Sequence, residues 1–174
     1  PTTSYGISKL SACRLGAIVA NQLDIQFVWV RLFDPYGPKD NPTWFLPYII
    51  KELLKGRSPK ITKAEQLWDY IYIDDVIDAI VKIIDKDNIS GIFNLGSGQS
   101  IELRQIINKV KNLINPNLDI QFGIVSYRED QIMHLESDID KISKEIKWTP
   151  SIKIDEGLKK TVDWFKLNLD IKPV

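Results

Sequence analysis

Tyr5 and Lys9 have the residue types and the spacing of a proton-transfer pair. A separation of four residues is about one helical turn, so the two side chains share a face and their polar tips come within reach. A free phenol, with a pKa near ~10, is a poor acid/base at neutral pH, and an adjacent ammonium moves it toward the operating range. On spacing alone a solvated helix face is the commoner reading, so the chemistry needs support from other residues.

Few other residues offer independent chemistry. Asp69, Asp74 and Asp75 have the look of paired catalytic carboxylates, but Asp74 and Asp75 stand where a helix begins, and capping is the simpler role. The single cysteine, Cys13, cannot form an internal disulfide. With no C-x-x-C and one histidine, His134, there is no metal-ligand pattern, and His134 reads as a surface or packing residue.

The elements that must position Tyr5 and Lys9 follow from periodicity. A helix is expected from Ser4 to about Gln22, with apolar spacing through Leu10, Cys13, Ala17 and Val19–Ala20. Ile25 to Leu32 is β-branched and aromatic with no turn former, as in a strand buried on both faces of a parallel sheet. Asp34-Pro35-Tyr36-Gly37-Pro38 ends it abruptly, and in open α/β sheets ligands bind beyond the carboxyl ends of strands.

Further along, a helix is expected from Trp44 to Leu54 and a short strand from Tyr70 to Ile73. Asp74 or Asp75 then caps a helix running to about Ile84. A strand follows at Ile92–Leu95. Ser100 is expected to cap a helix over Ile101–Ile114, and Asp119–Val125 to form a strand. Asp138–Glu145 and Glu156–Lys166 read as helices, and Trp148, Trp164 and Phe165 as packing residues.

Composition narrows the partners. At 174 residues, 44% hydrophobic and 26% charged, the chain can build a sizeable core. Lys+Arg and Asp+Glu both number 23, so no net field recruits nucleic acid or an anionic membrane, and a phosphate would be held by local groups. No apolar run is long enough to span a bilayer and no signal peptide is evident, which makes the cytoplasm the default location.

Four motifs occur in order: Pro1 to Lys9; Val30-Arg31-Leu32-Phe33-Asp34-Pro35-Tyr36-Gly37-Pro38; Trp68 to Val76; and Gly91 to Gly98. A tail follows, with Ser137 to Lys141, Ile146-Lys147-Trp148-Thr149-Pro150 and Glu156-Gly157-Leu158. Together they resemble the extended short-chain dehydrogenase/reductases, in the nucleotide-sugar epimerase/dehydratase branch, over essentially the whole chain. The resemblance implies an α/β fold, the C-terminal part of a Rossmann-like doubly wound parallel sheet plus a smaller α/β substrate-binding domain. Residues 1–35 would end the dinucleotide-binding domain. Residues 36–174 would be mainly substrate-binding, with 70–96 returning to the Rossmann-like core.

The resemblance also implies NAD or NADP as cofactor, a nucleotide-diphospho-sugar as substrate, a homodimer, and neither nucleic acid nor membrane as partner. Tyr5 would exchange a proton with the sugar, and Lys9 would hold the nicotinamide ribose. Phe33, Pro35 and Tyr36 would lie beside the cofactor. Asp34, Pro47, Trp68 and Arg128 would meet the substrate, Arg128 at the diphosphate unless it pairs with Glu129 or Asp130. Trp44 to Pro47 would cover the nucleotide, although aromatics at helical spacing are more often core. Asn94 and Ser97 would touch the ligand or shape a turn.

Two positions depart from the branch. Asp34 stands where many relatives carry Asn and would repel a nucleotide phosphate unless offset; Trp68 stands where many carry Arg, and that missing Arg tilts the reading toward deoxysugar epimerases and 4-ketoreductases. A Gly-rich turn and a catalytic Ser/Thr, which in the branch lie upstream of the Tyr, are also missing, so the chain reads as the C-terminal half of a longer enzyme. The alternative is a non-catalytic or truncated relative acting as a binding or scaffold module.

Overall fold

The computed structural model describes residues 1–168. The end of the expected 36–174 span, residues 169–174, lies outside them. Thirteen elements run α1 (Ser4–Gln22), β1 (Val28–Leu32), β2 (Pro35–Tyr36), α2 (Phe45–Leu54), β3 (Leu67–Trp68), β4 (Ile71–Tyr72), α3 (Ile73–Ile84), β5 (Gly91–Leu95), β6 (Ile101–Glu102), α4 (Leu103–Ile114), β7 (His134–Leu135), α5 (Asp140–Ile146) and α6 (Ile154–Leu167).

Two apolar cores organise them. One lies beneath the parallel pair β1–β5, where Phe93, Leu95 and Ile71 pack on Val76 and Ala79 of α3, Ile142 of α5 and Trp148. The second is helical: Ile49 and Leu53 of α2, Ile106 and Val110 of α4, and Leu158 and Phe165 of α6 close over Tyr36 and Tyr72. A small sheet in the order β6-β3-β7 borders this second core. Among the described residues no helix is long and apolar enough to cross a membrane.

The carboxyl ends of β1 and β5 lie side by side, Leu32 opposite Leu95, and the chain continues from β1 through Asp34 into β2, which pairs in parallel with β4. A fully buried carboxyl, Asp69, ties this end together. It accepts from the backbone N–H groups of Ser97 (2.8 Å), Gly98 (3.1 Å) and Ser137 (3.0 Å) and from the hydroxyls of Ser97 and Ser137. Gly96 is required here, because a Cβ would strike both Ser137 Oγ and Asp69 Oδ2.

The structure corrects several expectations. β1 is not buried on both faces: Arg31 and Leu32 are exposed. Neither Asp74 nor Asp75 caps α3, whose N-cap is Tyr72; Asp75 instead points across the fold and accepts from Ser151 N (3.0 Å), Ser151 Oγ (2.8 Å) and Ile152 N (3.0 Å). Ser100 does not cap α4, because Ile101–Glu102 is held as β6 against β3 and the Ser100 hydroxyl donates to Glu136. Asp119–Val125 makes no ladder. It is laid along residues 58–62 by single bonds, Gln121 N to Ser58 Oγ, Gly123 N to Thr62 O and Val125 N to Ile61 O, each 3.0 Å. Trp148 and Phe165 are buried and Trp164 is half-buried, as their packing role requires.

Candidate functional site

The candidate residues form two groups. In the first, Thr3 caps α1 by accepting from Gly6 N at 3.1 Å, which starts the helix in time to place Tyr5 and Lys9 on its first turns. Lys9 Nζ lies 5.6 Å from the Tyr5 ring centroid, so the ammonium sits over the aromatic face. Both side chains open to solvent, Tyr5 at 71% exposure. Further along α1, Gly16 rests on Phe27, where a Cβ would approach the Phe27 ring to 2.7 Å.

The second group surrounds a cavity of about 540 Å³. Three of the four substrate candidates line it: Asp34 from the β1–β2 link, Trp68 from β3, and Arg128 from the loop after α4. The wall is pinned by tyrosines. Tyr48 of α2 accepts from Lys60 N (2.9 Å), and Tyr127 both accepts from Glu65 N and donates to Glu65 Oε2 (3.1 Å each), which fixes the neighbouring Arg128 loop. Among the described residues Arg128 has no ion pair, neither with Glu129 nor with Asp130.

Burial first, then the nearby Asp40 and Asp69, push the Asp34 carboxyl up to about 6. Burial, reinforced by Asp34 and Asp40, pushes the Tyr70 hydroxyl up as well, so it stays a donor. The cavity therefore combines two cationic side chains, Lys60 and Arg128, an indole, and a carboxyl that takes a proton near neutrality.

The remaining candidates fall elsewhere. Pro47 is buried within α2 and does not line the cavity, although Phe45 and Tyr48 do. Phe33 is half-buried, its N–H bonded to Leu95 O at 2.9 Å, and Pro35 is paired opposite Ile71. Tyr36 is 2% exposed and its hydroxyl donates to Ile154 O (3.4 Å) beside Gly157, so its side chain packs against α6. Asn94, within β5, donates from Nδ2 to Asp138 O at 3.1 Å, and Ser97, just after that strand, is held by Asp69. Tyr5 and Lys9 do not line the cavity; Lys9 borders a separate hollow of about 220 Å³ with Cys13 and Trp29.

Sequence reasoning missed Lys60 and Gln66 in the cavity wall. Alternation along extended chain puts residue 66 on the same face as residue 68, the one signal that pointed to Gln66.

Residues 1–96 match the family model described as the NAD dependent epimerase/dehydratase family. The chain belongs to that family. It is 32% identical over 160 residues to a CDP-abequose synthase of Salmonella muenchen, covering 90% of this chain and 54% of that protein. It is 30% identical over 173 residues to a UDP-glucuronate 4-epimerase of Thermodesulfobacterium geofontis, covering 98% and 53%. Among solved structures, a UDP-glucuronic acid 4-epimerase from Bacillus cereus, in complex with UDP-glucuronic acid and NAD, superposes with a TM-score of 0.87 at 26% identity, covering 96% of this chain and 54% of that one. The α/β architecture is thus that of the Rossmann-type epimerases. The chain spans about half the length of the curated relatives it matches.

Proposed function

We propose that this family member provides the acid/base pair and the nucleotide-binding cavity of a cytoplasmic, homodimeric NAD(P)-dependent enzyme. The enzyme converts a nucleotide-diphospho-sugar, by epimerisation, dehydration or 4-keto reduction, through a keto-sugar intermediate. The observation that carries the reading is the cavity: an Arg without an ion pair among the described residues, a lysine and an indole around a pocket of about 540 Å³ suit a diphosphate joined to flat or ring-shaped groups. The relatives' names, all of enzymes acting on nucleotide-linked sugars, support it.

The residues on α1 fit a bound nicotinamide nucleotide, because Tyr5 and Lys9 present their polar ends on an open helix face. When bound, that cofactor would accept and return a hydride. Lys9 would hold its ribose, and Phe33 and Pro35 would flank it. Tyr5 moves the proton at the sugar oxygen, its phenolate taking the proton on oxidation and the resulting hydroxyl returning it on reduction. The Lys9 ammonium places positive charge against the ring on which negative charge develops. Arg128 and Lys60 hold the diphosphate away from the reacting carbon, and Trp68 stacks where many relatives have a cation. The exposed Leu15, Ile18 and Val19 of α1 support a helical dimer interface.

In the full protein chain, Tyr5→Phe should lower turnover at least ~100-fold while nucleotide-sugar affinity stays within about twofold. Unchanged turnover would refute the assignment.

A further inference from the structure

Among the described residues, two buried side-chain polar atoms have no hydrogen-bond partner: Trp148 Nε1 and Gln66 Oε1. Trp148 belongs to the apolar core beneath β5. Gln66 differs, because it is 5% exposed and lines the cavity of Asp34, Trp68 and Arg128. Its backbone carbonyl accepts from Leu103 N at 2.9 Å, while its amide oxygen is left unpaired. A buried acceptor is costly to leave unmet, and Gln66 faces a polar space large enough for a ligand to meet it.

We propose that Gln66 is a specificity-determining residue that reads the nucleobase, its amide oxygen accepting from a base N–H. The inference rests on the cavity's reading as the nucleotide-sugar site. The base, not the sugar, is the group assigned because Tyr5 and Lys9 lie outside the cavity. The sugar carbon that reacts must reach Tyr5, so the part of the ligand inside the cavity is the nucleoside end. An amide, with acceptor beside donor, matches the edge of a pyrimidine, and Trp68 on the same wall offers a flat surface for its face. Cytosine presents an exocyclic amine where uracil and thymine present a carbonyl beside a ring N–H. An amide oxygen that has to be met by a base N–H therefore ranks them.

The test is calorimetric titration of the full protein chain and of Gln66→Met with CDP-, UDP- and dTDP-glucose and with the sugar-free nucleoside diphosphates, alongside thermal melting. The wild-type protein should prefer one base. Gln66→Met should weaken the preferred ligand about tenfold, bring all three bases to within about twofold of one another, and leave Tm unchanged or raised, since an unpaired acceptor has been removed. The preference and its loss should appear equally with the sugar-free diphosphates. Affinities that fall in proportion for all three bases, a loss confined to the sugar-bearing ligands, or no loss at all would each overturn the proposal. If the wild-type protein binds none of these ligands, the reading of the cavity itself fails; if it binds them and Gln66→Met binds them alike, only the role of Gln66 falls.

Discussion

The pair on α1 and the cavity between β3 and α2 are built in opposite ways. Tyr5 and Lys9 are neighbours in sequence, need one capped helix to bring them together, and stand open to solvent. The cavity takes Asp34, Lys60, Gln66, Trp68 and Arg128 from separated stretches, and its geometry depends on buried bonds made by residues that touch no ligand space. The geometry of a local pair survives loosening of the rest of the fold. Recognition assembled from distant segments does not, and its weak point is Asp69, one residue from Trp68, whose carboxyl gathers donors from Ser97, Gly98 and Ser137.

That contrast predicts unequal responses to substitution. The largest effect is expected at Asp69→Ala, which removes the buried carboxyl that accepts from five donors. Stability should fall by about 3–5 kcal/mol, or roughly 10 °C in Tm, by differential scanning calorimetry. Tyr5→Phe, on the open helix, should leave Tm within ~1 °C. If both variants melted alike, the two regions would not differ as described.

Arg128→Ala removes a charge-assisted contact without touching the core. Nucleotide-sugar affinity should drop about 10- to 100-fold, with Tm unchanged and a weaker dependence of binding on salt. Titration at two salt concentrations decides it, and a selective loss of Tm would place Arg128 among the structural residues instead.

The smallest effect is expected at Asp34→Asn. The Asp34 carboxyl is raised from 3.8 to about 6, so the folded state holds its proton more tightly than the unfolded chain does. The stability this contributes is fully present below the unfolded value and is lost as pH rises through about 6. Asp34→Asn should therefore be more stable than the parent at pH 8, by about 1 kcal/mol once solvent screening of a half-buried group is allowed for, with the advantage gone below ~4. The same sign applies to an anionic ligand: affinity for a nucleoside diphosphate should rise in the parent as pH falls through 6, and Asp34→Asn should flatten that profile. Parallel denaturant and binding titrations across pH would show it.

Much of the framework was legible in the residues. α1 spans the expected Ser4–Gln22, and α2 ends at Leu54 as the following Gly56 led one to expect, starting one residue later than Trp44. The strand at Gly91–Leu95 was equally readable from its β-branched and aromatic content. The short strands β3, β6 and β7 were not, since two-residue ladders exist only where another segment offers a partner. Ser100 illustrates the loss: as a local signal it caps a helix, yet pairing of Ile101 with Trp68 moves the helix start and leaves its hydroxyl to Glu136.

The sequence by itself determined the Tyr5–Lys9 pair, its helix and the ordered motifs that mark the family, because spacing along one element is a local property. Only the tertiary structure decided that Asp75 clamps Ser151 and Ile152, that Tyr36 and Pro47 are buried without lining the cavity, and that Gln66 joins Asp34, Trp68 and Arg128 around it. Burial and the partner each polar atom finds are set by segments far apart in the chain, and no local pattern carries that information.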